Sequence, residues 1–301
     1  MMDSDRLATL LAVVDAGTFD LAARALRVTP SAVSQRIKAL EVETGRVLVE
    51  RVKPVRVTEA GRVLVRLGRQ LALLEDAAAR ELGTSGAGDA ITTLPIAVNA
   101  DSLATWLLPA LARAAETRPV VFELLREDQA RTAELLASGR VMAAITSDAR
   151  PVPGCTVTPL MRMRYRAVAN PGYLARHLPD GPTPIALARA PRVDFDRDDQ
   201  LQTRWLRRIT RARLDPPRHH VGSSIEFARA VELGMGWGML PDLQAADALA
   251  DGRLVELAPR TSVAVALYWQ QWDLRADLLD AVAAEVLAAA RAAARVDTVG
   301  S

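Results

Sequence analysis

Cysteine is nearly missing from this chain: Cys155 is the single one in 301 residues. That excludes an internal disulfide framework and any cysteine-rich zinc site, and nothing else in the composition asks for a cofactor. Lysine is almost as scarce, confined to Lys38 and Lys53. Aromatic residues make up 4% of the chain, so a core must be assembled mainly from Leu, Val and Ala, a mixture that favours helices and helix-covered sheets. No apolar run approaches the roughly 20 residues of a membrane span, and the opening Met-Met-Asp-Ser-Asp-Arg lacks the basic-then-apolar order of a signal peptide. The expectation is a cytoplasmic protein with no membrane partner. Net charge is also small, at +2, so the distribution of charge has to be read instead of its total. The length exceeds one typical core and suggests several compact units.

What is present is concentrated near the amino terminus. Between Arg24 and Arg56 the bases Arg24, Arg27, Arg36, Lys38, Arg46, Arg51, Lys53 and Arg56 face only the acids Glu41, Glu43 and Glu50. Inside this segment Thr29 can cap a helix that Pro30 opens, and Val33, Ile37 and Leu40 follow at the spacing of one buried stripe. The opposite side, with Ser31, Ser34, Gln35 and Lys38, carries donors and acceptors but no carboxylate until Glu41. A solvated face usually mixes both signs, whereas a face that meets phosphates and base edges avoids negative charge. Two helices precede it: one that Ser4 can cap, with the stripe Leu7, Leu10, Leu11 and Val14, and one over 19–26 capped by Thr18, whose Ala22 and Ala23 permit a close crossing. After Gly45, segments 47–52 and 55–57 read as a two-stranded wing, with Arg51, Lys53 and Arg56 placed along flanking phosphates.

This order of three helices and a wing, with Ala22-Ala23-Arg24-Ala25-Leu26, Ser31-Ala32-Val33-Ser34-Gln35, Leu40-Glu41 and Thr58-Glu59-Ala60-Gly61, resembles the head of LysR-type transcriptional regulators. The resemblance implies that Pro30, Ser31, Ser34 and Gln35 meet base edges, with Thr18, Arg36, Lys38 and the wing nearer the phosphates of double-stranded promoter DNA. Many relatives carry Arg where Gln35 stands. Gln pairs with adenine and Arg with guanine, so the preferred operator should differ there.

Residues 1–57 are thus read as a winged helix-turn-helix DNA-binding domain, and 58–83 as a linker helix opened by Thr58. Leu64, Leu67, Leu71, Leu74 and Ala78 recur at 3, 4, 3, 4 spacing, a heptad seam, on a helix that would extend roughly 36 Å. The resemblance implies that this seam makes a homodimer, or a homotetramer, whose paired heads read two half-sites. The glycine-rich run from Gly83 to Gly88 leads from the linker into a hinge at 84–90, and 91–301 is read as an effector-binding module. There, strands and helices alternate as in two α/β lobes, the first about 91–162 with 263–301 and the second about 163–262. The fold class expected is therefore α/β with an all-α winged head, and the two-lobed module resembles periplasmic solute-binding proteins.

Ligands of open α/β sheets sit beyond the carboxyl ends of strands. The residues expected there are Asn99, Asp101, Ser102, Glu127, Asp128 and Asp148 from the first lobe, and Asp194, Asp196, Ser223 and Ser224 from the second, with Trp106 bordering the cleft. Ser102 and Ser224 are expected to precede helices whose amides would hold a carboxylate, beside a cluster of acids; that combination suits a cationic amino acid. The same acids and serines also fit ordinary caps and loop ion pairs. The run from Val98 to Leu111 and Tyr268-Trp269 resemble the branch of the family that senses lysine and arginine and controls basic amino-acid export. The small-molecule partner it implies is lysine or arginine, with histidine a third candidate. An alternative is a ligand-independent architectural or replication-restraining DNA-binding protein. The glycine run 234–238 follows a helix and enters a strand, the reverse of a phosphate cradle, and Cys155 with His219 or His220 lacks a third orienting group, so no enzyme is expected.

Overall fold

The computed structural model describes residues 3–82, 91–126, 129–274 and 276–299. The head opens with α1 (Ser4–Ala16), capped by Asp3, whose side chain accepts from the Asp5 amide; Ser4 is the first helical residue rather than the cap. Gly17 ends α1 in the left-handed region, and Thr18 then caps α2 (Phe19–Leu26), accepting from the Leu21 amide. Arg27 makes the turn into α3 (Pro30–Thr44), where Thr29 caps the Ala32 amide at 3.1 Å and Gly45 terminates the helix. Val33, Ile37 and Leu40 are wholly buried against Leu10, Val13 and Ala22. Each side chain of that size contributes about 1.5–3 kcal/mol relative to an exposed one.

The wing is shorter than its β-branched residues suggest. Only β1 (Val49–Glu50) and β2 (Arg56–Val57) pair, in the register Val49 to Val57 and Glu50 to Arg56. Val47 and Val52 are exposed and lie outside the ladder, because nothing packs on them to favour an extended pairing. Thr58 accepts from the Gly61 amide and opens α4 (Glu59–Glu81). A Cβ on Gly61 would stand 2.1 Å from the Leu48 carbonyl oxygen, so only glycine lets this helix rest directly on the wing backbone.

The heptad seam divides along α4. Leu64 is buried in the core of its own head, and Leu71 packs on that core half-buried, whereas Leu67, Leu74 and Ala78 remain exposed. Between them Leu73 is buried in the effector module. The same helix also donates from Arg66 to the carbonyls of Pro153 and Gly154 and from Arg69 to those of Gly139 and Arg140. The linker thus packs lengthwise on its own chain as well as offering an apolar strip. The expected hinge at 84–90 lies outside the described residues.

The effector module begins with β3 (Thr92–Val98), followed by α5 (Ala100–Ser102), a π-helical turn (Leu103–Leu107) and α6 (Leu108–Thr117) as one continuous rod. Pro109 has no amide hydrogen to return to the preceding turn, and a widened turn accommodates that loss. Then come β4 (Val120–Arg126), α7 (Gln129–Ala137), β5 (Ala143–Thr146) and β6 (Cys155–Ala169). The second lobe adds α8 (Pro171–His177), α9 (Pro184–Arg189), β7 (Arg192–Asp194), α10 (Leu201–Ile209), β8 (Arg218–His220), α11 (Ser224–Glu232), β9 (Gly238–Pro241), α12 (Asp242–Ala250) and β10 (Val255–Glu256). The chain returns through β11 (Val263–Trp272) to α13 (Asp277–Val299), which packs on α6.

The sheet runs β10-β6-β11-β5-β3-β4, with β9 joined to β6. Strands β3, β4 and β5 are parallel, as alternating strands and helices require. The lobes are joined by an antiparallel ribbon of β6 and β11 that runs from Cys155 opposite Trp272 to Tyr165 opposite Val263. At its first-lobe end β11 pairs with β5, and at its second-lobe end β6 pairs with β9 and β10. The register slips where Leu267 faces Met161 and Tyr268 faces Pro159, which bends the ribbon between the lobes. The expected lobe boundary near 162 thus falls within β6, which runs unbroken from Cys155 to Ala169. No helix among the described residues is long and apolar enough to cross a membrane, and no grouping of His, Cys, Asp and Glu among them could hold a metal ion.

Candidate DNA-reading face and effector cleft

On α3 the side chains of Ser31, Gln35 and Lys38 are exposed, as is Pro30, and Ser34 is half-buried beside them. Of the acids that follow, the half-buried Glu41 accepts from the Leu48 amide at 2.9 Å, and the exposed Glu43 pairs with Arg6 at 3.1 Å. A hollow of about 740 Å³ flanks this face, lined by Gln35, Lys38, Ala39 and Val42 with Asp3, Arg6 and Glu43. Arg36 departs from expectation. It is half-buried and turned back toward α1, with its guanidinium 3.4 Å from the Thr9 hydroxyl, which leaves Lys38 as the outward cation of the helix. On the wing Lys53 and Arg56 are exposed, and the exposed Arg51 lies 5.1 Å above the Phe19 ring. The Thr18 side chain is spent on its cap.

The lobes meet at Asp101. Its carboxylate accepts from the Tyr165 hydroxyl at 2.7 Å and from the Ser224 hydroxyl at 2.7 Å, joining the first helix of one lobe to the ribbon and to the first turn of α11 in the other. Gln244 on α12 supports Ser224 by donating to its carbonyl at 2.9 Å. Burial pushes the Asp101 carboxyl above its ordinary range, the two hydroxyl donors oppose that shift, and the charge of Asp199 adds to it. Burial and the neighbouring Asp101 charge push the Tyr165 hydroxyl far up, so it stays protonated and donating. Close by in sequence, the Asn99 Oδ1, Ser102 Oγ and Trp106 Nε1 atoms are buried with no hydrogen-bond partner among the described residues. Buried polar groups of this kind cost free energy until something bonds to them.

The other expected cleft residues fare differently. Ser102 and Ser224 do not precede their helices; both lie within the first turn, behind Asn99 and Ser223, and neither of those two caps an amide with its side chain. Ser223 bonds Glu226 instead. Asp194 is buried in a pair with Arg192 at 2.9 Å, with Arg218 nearby, and burial raises its carboxyl against the pull of that guanidinium. Asp196 is occupied by the amides of Asp198 and Asp199. Asp148 is held below the usual carboxylate range by its hydrogen bond with the exposed Arg150. Glu127 and Asp128 lie outside the described residues. Tyr165, Gln244 and Asp199 were not singled out by the sequence. Tyr165 stands in a strand whose facing could not be fixed without its partners, Gln244 lies on a helix that the pattern missed, and Asp199 sits in the least patterned stretch.

Comparison with known proteins agrees with this architecture. Residues 4–62 match the family described as bacterial regulatory helix-turn-helix protein, lysR family, and residues 87–291 match the LysR substrate binding domain. The HTH-type transcriptional regulator LysG of Mycobacterium tuberculosis is 45% identical over 96% of this chain and 94% of its own length. The lysine export transcriptional regulatory protein LysG of Corynebacterium efficiens is 43% identical over 98% of this chain and all of its own. Among solved structures, ArgP from Mycobacterium tuberculosis aligns with a TM-score of 0.86 at 45% identity, covering 96% of this chain and 98% of that one. Full-length LysG from Corynebacterium glutamicum with bound effector Arg aligns at 0.77 and 37% identity, with the same coverage of both chains.

Proposed function

This chain belongs to the LysR family of transcriptional regulators, and from that premise we propose that it senses a cationic amino acid, lysine or arginine, and activates the gene of a basic amino-acid exporter in the cytoplasm. The observation that carries the effector reading is the Asp101 carboxylate, held between the lobes by Tyr165 and Ser224. A buried carboxylate at a lobe junction needs a cation or several donors, and an ammonium or guanidinium supplies both. The partnerless Asn99, Ser102 and Trp106 atoms are suited to the ligand's α-amino and carboxylate groups. The two relatives named for lysine export and for bound arginine support the same ligand class.

On the DNA side, Pro30, Ser31, Ser34 and Gln35 read base edges, while Lys38, Arg51, Lys53 and Arg56 meet phosphates of double-stranded promoter DNA. The chain works as a homodimer, or a dimer of dimers, joined along the part of the α4 seam from Leu67 onward. Effector shifts the balance between two arrangements of the paired heads, by no more than its difference in affinity for them. The test is titration calorimetry of the full chain with arginine, lysine and histidine, coupled to footprinting on the upstream sequence. Saturable heat with lysine or arginine and an altered footprint are expected. Absence of heat with every amino acid, together with tight binding to any duplex, would favour a ligand-independent architectural protein.

A further inference from the structure

Two arginines of α4 reach off the helix into the first lobe. Arg66 donates to the Pro153 carbonyl at 2.9 Å and the Gly154 carbonyl at 2.7 Å, and its guanidinium lies 5.8 Å from the centre of the buried Trp272 ring, close to the Cys155 thiol. Arg69, only 7% exposed, donates to the carbonyls of Gly139 at 2.9 Å and Arg140 at 2.7 Å, and also pairs with Asp15 of α1. Gly139 has a φ of +74°, and a Cβ there would stand 2.7 Å from the Arg66 Cα, so helix and lobe meet backbone to backbone. Charge-assisted bonds to four main-chain carbonyls make this a specific clasp rather than a loose surface contact.

The carbonyls gripped by Arg66 adjoin one end of the β6–β11 ribbon, where Cys155 faces Trp272; the other end, where Tyr165 faces Val263, carries the hydroxyl that bonds Asp101. A single piece of sheet, roughly 33 Å long at about 3.3 Å per residue, thus spans from cleft to linker helix. Arg69 then continues the connection to the head through Asp15. We infer that Arg66 and Arg69 are positioning residues through which occupancy of the cleft reaches the DNA-binding head. The inference rests on the effector reading above. The clasp keeps the head in one register with the closed cleft, and a displaced ribbon shifts the carbonyls that hold α4.

Cys155, the sole thiol of the chain, reports on the clasp directly: it is half-buried and burial raises its pKa, so reaction with a thiol-specific disulfide reagent should be slow. In the full chain without effector, Arg69→Met should speed that reaction severalfold; Arg66→Ala also removes the guanidinium that holds the thiol pKa down, so its rate is compared per thiolate from a pH–rate profile, where the same acceleration should appear and Arg66→Lys should restore part of the protection. An unchanged rate would overturn the clasp. Both variants should bind arginine and operator DNA separately with wild-type affinity, yet arginine should no longer alter their footprint. A footprint change that persists in them would overturn the coupling. Gly139→Val, whose side chain wedges against the Arg66 backbone and pushes the helix away with both arginines still in place, should reproduce the uncoupling, so a folding defect in one variant leaves the question decidable. If the wild-type chain bound neither lysine nor arginine, the effector reading would fail, while the Cys155 rates would still decide whether the clasp holds the module.

Discussion

Asp101 shows how one side chain can be both a cost and a sensor. Its raised carboxyl means that the folded state prefers the protonated form, so stability falls as pH rises from the ordinary carboxylate range through the raised value. A bound cation favours the ionised form and reverses that preference. Arginine should therefore bind with proton release in mildly acidic solution, its affinity rising with pH through the raised value and flat above it. Calorimetry in buffers of differing ionisation heat measures this, and proton-neutral binding would remove Asp101 from the cation's partners. Asp101→Asn keeps an acceptor for only one of the Tyr165 and Ser224 hydroxyls and loses the charge, so arginine affinity should drop on the order of a hundredfold while the fold persists at neutral pH. On α3, Gln35→Ala should relax base choice at one position by about 1–3 kcal/mol, whereas Lys38→Ala should weaken all sequences and lower the salt slope by about one, as binding titrations on operator and scrambled duplex would show.

At the scale of elements, the exposed strip of Leu67, Leu74 and Ala78 is the part of α4 left for a second copy once Leu64 and Leu73 are covered by the chain's own two cores. The double change Leu67→Asp and Leu74→Asp should shift the protein toward monomer in sedimentation experiments without unfolding it, and an unaltered dimer would place the seam elsewhere. Gly61→Ala is expected to destabilise the head by about 1–3 kcal/mol in urea unfolding, since its Cβ meets backbone and not a yielding side chain. What the sequence made legible follows the same division. The helix over 30–44 was readable because its cap, proline, stripe and glycine follow one another without a gap from Thr29 to Gly45. The seam was readable as a period but not as a set of partners, because 3.5-residue spacing does not say which core takes Leu64. The ribbon was half hidden, since Arg162, Arg164 and Arg166 interrupt the apolar pattern of β6, and Arg164 and Arg166 find their acids on α12 and β10, elements the pattern did not reveal. The general rule for strand ends singled out Asp101 and Ser224, yet the bonds that join them to each other and to Tyr165 required knowing which lobe Tyr165 faces.

For the whole molecule, the proposed function makes a change in how two heads are spaced the decisive event, and effector binding should be visible as thermodynamics before any footprint. Arginine at about 100 times its dissociation constant should stabilise the effector-competent form by about 2.7 kcal/mol, so a melting-temperature screen against the common amino acids should single out the cationic ones. The near-absence of lysine gives the assembly a further property. Lys38 stands on α3 and the exposed Lys53 on the wing, and the effector module carries no lysine ammonium of its own. Acylating or formaldehyde-type reagents, which seek primary amines, would then mark the side of the protein turned toward the duplex and spare the sensor. Operator-bound protein should resist such labelling, and whatever lysine the sensor captures would be the sole side-chain ammonium in that half of the molecule.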